Sequence, residues 1–349
     1  MIPFRQKNKL QTNETIVPLY FFAFVIFTLF NKNSAMHYLS FTWNPSEGID
    51  LGFFMIRYYS LMFVVAFTLG WILTKKIFER EGQPQEKLDS LFIYMVVATL
   101  VGARLGHVIF YQPELFVDDP LSVFLPIQTK PEFEFTGFQG LASHGAAIAI
   151  LIAMYFYTKN VIKKPFLWIM DRIVIAVAAG GIFVRIGNFM NSEIIGKISG
   201  EFPLGVRFVH EGIRKQDAVN ATGIKEPSKA YDAIVHNPQF SELLNSVPFR
   251  HPAQLYEAAG YVIVFLVCWY LYWKTERRKQ IGYIFGVFLI LLFMVRFLVE
   301  YVKESQGGFE SALGLLSTGQ WLSIPFIIAG IYIMWKASKK SPLTPEGEI

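Results

Sequence analysis

A single cysteine, Cys268, occurs in the 349 residues. That count excludes an intrachain disulfide and a thiolate metal cluster. The six histidines (37, 107, 144, 210, 236 and 251) lack the spacing of a ligand set, so no metal site is expected. Charge is sparse as well, at 17% of residues, where ordinary soluble domains carry roughly 25%. A net charge of only +5 with 53% apolar residues excludes intrinsic disorder, and no nucleic-acid partner is expected. Internal repeats are missing too, which leaves the inverted-repeat architecture of many transporters without support.

What the sequence has in abundance is apolar length. Seven runs approach the ~20 residues that cross a bilayer: 52–74, 90–111, 140–158, 168–190, 255–273, 281–301 and 318–336. They predict an all-α integral membrane protein of seven transmembrane helices. An eighth run, 16–30, is shorter, contains Pro18 and follows Arg5, Lys7 and Lys9. It reads as a signal-like or marginal segment, and residues 1–35 as an extension, or a misplaced start, ahead of Met36.

The loops fix a direction. Lys75, Lys76, Arg80 and Lys87, then Lys159, Lys163 and Lys164, then Lys274, Arg277, Arg278 and Lys279, and finally Lys336, Lys339 and Lys340 occupy alternate connections. The other connections are poor: 112–139 holds only Lys130 and 302–317 only Lys303. By the positive-inside rule the rich loops are cytoplasmic. Residues 1–50 then form an N-terminal extension and approach, 51–340 the membrane domain, and 341–349 a cytoplasmic tail. Within the membrane domain, the long outer connection 191–254 mixes aromatic, aliphatic and charged residues and predicts a small folded cap.

Ionisable residues inside spans are costly and usually serve a site. Here they cluster by depth: Arg57, Tyr58 and Tyr59; Arg104; His144; Arg185, Asn188 and Asn191; HPAQLYE at 251–257; Arg296 and Glu300; Ser317, Thr318 and Gln320. All fall in the outer half of the predicted spans. Three buried arginines against Glu300 as the acid at comparable depth leave a cationic surplus, and a phosphate suits a guanidinium fork. The sum is one polar site opening to the outer leaflet for a phospholipid headgroup. His144 has the pKa range of a general base, although a satisfied core histidine fits its residue type equally. Arg296 and Glu300 also admit a self-neutralising pair, Arg57 and Lys303 admit snorkelling, His107 a packed side chain, and His251 a helix cap.

These residues lie in motifs. VGARLGHVIFY (101–111), SHGAAI (143–148), GGIFVRIGNFMNSEIIG (180–196), HPAQLYE (251–257), RFLVEYVKE (296–304) and STGQWLSIP (317–325) occur in that order. The set resembles the phosphatidylglycerol–prolipoprotein diacylglyceryl transferases of bacteria across about residues 52–335. Departures are the alanines of SHGAAI, RIGN where R-L-G-N is usual, Leu292 at a usual tyrosine and Lys303 at a usual arginine. The resemblance implies a multi-pass enzyme of the bacterial cytoplasmic (inner) membrane with its site toward the periplasm. Its partners would be phosphatidylglycerol, a prolipoprotein signal peptide with a lipobox cysteine, and the lipid bilayer. Diacylglycerol would pass to the cysteine thiol, glycerol 1-phosphate would leave, and no cofactor would be needed. It implies catalytic roles for His144, Arg185 and Arg296. With the outer polar residues, the candidate substrate-binding set is Arg185, Asn188, Glu193, Arg104, Tyr58, Glu300, His251, Gln254, Tyr256 and Glu257. A transporter or channel for an organic anion is the rival class, and it requires polar residues continuing to the inner side. A seven-helix receptor is a third.

Overall fold

Helices dominate because the apolar runs leave backbone groups no partner in lipid except each other. The computed structural model describes residues 39–52, 55–125, 127–129, 132–133, 140–200, 202–304 and 316–339; the run 16–30, the extension 1–35 and the tail 341–349 lie outside the described residues. The principal helices are α1 (Tyr58–Arg80), α2 (Gln85–Tyr111), α3 (Ser143–Tyr157), α4 (Phe166–Met190), α5 (Ala253–Lys274), α6 (Tyr283–Val299) and α7 (Thr318–Lys339). Six are long and apolar enough to cross a membrane, α3 being counted through Ile162, and α6 is apolar but only 17 residues long. The chain is therefore a multi-pass, all-α membrane protein.

The first helix starts later than its apolar run. Strands β2 (Gly48–Asp50) and β3 (Met55–Arg57) pair antiparallel. Gly52 takes a φ of +83° between them, with its amide donating to Asp50 Oδ1 at 2.8 Å. That ladder holds residues 48–50 and 55–57 out of the helix, which begins at Tyr58.

Small residues set the closest crossing. A Cβ on Gly106 of α2 would lie 2.6 Å from Gly145 Cα, and one on Gly145 would lie 2.3 Å from the Gly102 carbonyl oxygen. Only glycine lets the α2 and α3 backbones approach this far.

The packed apolar core runs through the bundle and is well populated at the end where α4 and α6 begin. Ile77 and Phe78 at the end of α1, Leu88 and Leu91 at the start of α2, Trp168 to Ile175 at the start of α4, Cys268 and Tyr272 late in α5, and Ile284 and Phe285 early in α6 share it. In the same region lies a buried ionic group that the hydropathy of the spans concealed. Asp171, fully buried, accepts from the Gly282 and Phe285 amides at 2.6 and 2.8 Å and so caps the start of α6. Arg172 meets Glu81 at 3.0 Å, and the Tyr272 hydroxyl donates to the same carboxylate at 2.7 Å. The expectation that all unusual polar residues lie in the outer half is thus corrected. These charges satisfy helix ends and one another, and dense apolar packing surrounds them, so they do not continue a polar path.

At the opposite end, backbone pairing ties distant segments. Strand β1 (Phe41–Trp43) runs parallel to β4 (Val206–Phe208), and bridges join Val206 and Ile198 to Arg250 and Gly196 to Lys303. Beside this ladder, helices Lys215–Thr222 and Pro227–His236 close on Val209, Ile213, Ala218, Ala230, Tyr231, Ile234 and Val247. The long connection is therefore a folded lobe with its own small core.

Candidate active site

Two helix faces meet at the ladder end. On α4, Gly181, Arg185 and Asn188 are spaced four and three apart and share a face. On α5, Gln254, Glu257 and Tyr261 are spaced three and four apart and do the same. Gly181 admits the Tyr261 ring, which a Cβ would approach to 3.1 Å. Arg185 Nε lies 2.5 Å from Glu257 Oε2, its Nη1 donates to Asn188 Oδ1 at 3.2 Å, and the Tyr261 hydroxyl hydrogen-bonds to it as well. Glu257 is 2% exposed. The reading of Glu300 as the acid at this depth is therefore corrected: the i, i+3, i+7 spacing of Gln254, Glu257 and Tyr261 turns Glu257 inward to neutralise Arg185 in part.

From Arg185 the network runs outward. Asn188 Nδ2 donates to one oxygen of Glu193 at 3.4 Å, and Asn191 Nδ2 to the other at 3.2 Å. Gln254, fully buried, donates its side-chain amide to the Glu193 carbonyl. The loop that presents Glu193 is strained. Ser192 and Ile194 adopt φ of +56° and +58°, a region that costs a non-glycine residue about 1–3 kcal/mol. Beyond the loop lies an open cleft of about 500 Å³, bounded on the lobe side by His210 and Glu211.

Tyr58 is corrected in favour of its neighbour. The Tyr58 hydroxyl pairs with Ser46 Oγ at 3.5 Å, beside the hairpin. Tyr59, one residue and about 100° further around the helix, hydrogen-bonds to Asn188 and packs against Gly187, whose added Cβ would lie 3.0 Å from its ring. Sequence reasoning noted Tyr59 but had no periodicity with which to choose between them.

Arg296 comes from α6 to the same place. It acts electrostatically on Tyr261, as Arg185 does, and its guanidinium lies 5.9 Å from the Phe293 centroid. Among the described residues no carboxylate forms an ion pair with it. The Arg296–Glu300 pair allowed by the sequence does not form; Glu300 instead faces Lys303, at 3.5 Å. A Cβ on Gly319 would lie 2.4 Å from the Glu300 carboxyl carbon, so glycine there lets the carboxylate approach the start of α7, where the helix dipole favours it. Ser317 and Gln320 exchange side-chain and backbone hydrogen bonds at 3.3 and 3.0 Å, a capping box.

The remaining candidates stand apart. His144 is exposed at the start of α3, its ring 5.0 Å from Phe110 and 6.1 Å from Tyr111. It is therefore no core histidine, and no hydrogen bond joins it to the Arg185 network. Arg104 donates to the Ser122 carbonyl at 2.7 Å and so secures the connection after α2. His251 contacts the Tyr256 hydroxyl at 3.3 Å, and burial pushes its pKa below the usual range. Among the described residues no group of three His, Cys, Asp or Glu side chains is placed to hold a metal ion.

An arginine held within a membrane bundle without a carboxylate of its own among the described residues is costly unless an anion accompanies it. The class so defined is a multi-pass membrane protein with buried charged and polar side chains gathered toward one end of its helices. Comparison with known sequences narrows it. The family model for prolipoprotein diacylglyceryl transferase matches residues 47–336. A Tolumonas auensis protein named phosphatidylglycerol–prolipoprotein diacylglyceryl transferase is 37% identical over 84% of this chain and 95% of its own length. Similar proteins of the same name from Bacteroides fragilis (35% identical, covering 86% and 97%) and Porphyromonas gingivalis (36%, covering 83% and 91%) agree. The chain belongs to the prolipoprotein diacylglyceryl transferase family and is a transferase.

Proposed function

We propose that this chain moves the diacylglyceryl group of phosphatidylglycerol to the lipobox cysteine thiol of a prolipoprotein. The observation that carries the reading is Arg296, which has no carboxylate partner among the described residues, set beside the Arg185–Glu257–Tyr261 group. Arg185 and Arg296 take the lipid phosphate between them, Arg185 being held by Glu257 and Asn188. The thiol sulfur attacks the glyceryl carbon that bears the phosphate. A carbon–sulfur bond forms, the carbon–oxygen bond breaks, and glycerol 1-phosphate leaves with the electron pair on its oxygen. The charge that grows on that oxygen is what the arginines stabilise.

The thiol must first lose a proton, because its ordinary pKa is near 8.5. His144, exposed on the rim at the same end of the bundle, accepts it. Substrates therefore reach the site laterally from the lipid and from the face bearing the lobe. With α6 as a short sixth of seven spans, the lysine-rich loops at the opposite end support that face lying outside the cytoplasmic membrane. The lobe at 191–254 caps the site on that side.

Purified protein incubated with labelled phosphatidylglycerol and a lipobox peptide tests the reading. The peptide should gain the mass of a diacylglyceryl group in place of its thiol hydrogen. Arg185→Lys should lower turnover by about two to three powers of ten, and His144→Asn should reduce transfer while lipid binding persists. Wild-type turnover in a correctly inserted Arg185→Lys protein would sink the phosphate clamp.

A further inference from the structure

The end of α3 farthest from Arg185 has features that the transfer reaction does not use. There the helix widens into a π turn, Thr158–Ile162, closed by the Lys163 amide donating to the Thr158 carbonyl at 3.0 Å. Lys163 itself adopts a φ of +55°. Such turns are rare and are found mainly where a helix serves a site. Next to it, Leu151, Ile152, Tyr155 and Phe156 of α3 and Phe166 of α4 line an apolar groove of about 440 Å³.

The groove has a cationic rim. The Lys159 ammonium lies 4.7 Å from the centroid of the Tyr155 ring, which is itself a groove wall. Lys163 is exposed at the end of the π turn. Among the described residues neither lysine forms an ion pair with a carboxylate. Apolar walls continuing into two unneutralised cations match an amphiphile with acyl chains and an anionic head. From Phe166 to Arg185 is about 28 Å along α4, so this place is separate from the proposed donor site.

We infer that the groove holds one anionic phospholipid in the leaflet opposite Arg185. Its chains lie against Ile152, Tyr155 and Phe166, and its phosphate faces Lys159 and Lys163. Lysines act as point charges rather than a bidentate fork. The groove therefore selects negative charge over a particular headgroup. This assignment does not depend on the transfer chemistry.

Native mass spectrometry of the full chain from nanodiscs of phosphatidylcholine with phosphatidylglycerol tests it, using Arg185→Gln to empty the other site. That protein should retain one phosphatidylglycerol. Adding Lys159→Gln should lower its retention about fivefold, as expected for one lysine at a membrane surface. Adding Ile152→Trp, which fills the groove and keeps both lysines, should also remove the lipid. Undiminished retention in either double variant, or equal retention of phosphatidylcholine, overturns the assignment.

Discussion

Glu257 Oε2 lies 2.5 Å from Arg185 Nε, across the contact between α5 and α4. Both partners are withdrawn from water, with side-chain exposures of 2% and 15%. Removing the carboxylate leaves a buried guanidinium without its counter-ion. Glu257→Ala should therefore cost about 3–5 kcal/mol of stability, read by thermal unfolding in detergent. Glu257→Gln keeps an acceptor for Nε and should cost less, while transfer falls because the guanidinium is no longer oriented. Equal stability of wild type and Glu257→Ala would show that the pair does not hold the helices.

Arg296 gives the opposite pattern. No described carboxylate depends on it, so Arg296→Gln leaves no buried charge unmatched. Stability should stay within about 0.5 kcal/mol of wild type, while turnover drops by roughly two to three powers of ten. Unfolding and transfer measured on one preparation separate the effects. A large loss of stability would assign Arg296 to the scaffold instead.

Gly196 is where the ladder has no room. A Cβ there would lie 2.5 Å from the His251 carbonyl oxygen and 2.7 Å from that of Val302. Because these neighbours are backbone atoms, Gly196→Ala should destabilise by about 1–3 kcal/mol. Hydrogen exchange should accelerate at the Lys197 and Glu304 amides, which donate to Val302 and Ile195. Unchanged protection there would mean that the strands yield without separating.

The lobe should respond to acid. His210 contacts Asn44 Oδ1 at 2.8 Å, its ring lies 4.3 Å from that of Tyr231, and burial lowers its pKa from the usual 6.5. The unfolded chain therefore takes up this proton at a higher pH than the folded one. The stability contributed by neutral His210 is complete above about pH 6.5 and declines as pH falls, by up to ~1.4 kcal/mol per unit until the folded group titrates. In His210→Gln this component of the pH dependence should vanish below about pH 6.5. An identical acid profile in the variant would place the sensitivity elsewhere.

Much of the bundle was legible because apolar runs of membrane length announce helices whatever they pack against. Arg185, Arg296 and Asn188 stood out for the same reason, since charge in such a run needs an explanation. What escaped was direction and pairing. Tyr58 and Tyr59 are adjacent, and only the start of α1, set by the β2–β3 hairpin, decides which faces Asn188. Asp171 and Arg172 were absorbed into a strongly apolar window, although the spans they end required capping. The ladder linking residues 41–43, 196–198, 206–208, 250 and 303 leaves no periodic mark, because each strand is three residues or fewer and its partners are distant in sequence.

That ladder has a consequence for the membrane around it. Backbone hydrogen bonds at one end, and the Asp171 cap at the other, fasten α4, α5 and α6 to one another rather than to the lipid. A thicker or thinner bilayer must be met by tilt or by local lipid rearrangement, and the cross-tied trio can tilt only as one body. The spacing of Arg185 and Arg296 then travels with it unchanged. Acyl length would act on this enzyme through the fit of the individual lipid, while hydrophobic thickness would be absorbed at its less fastened helices.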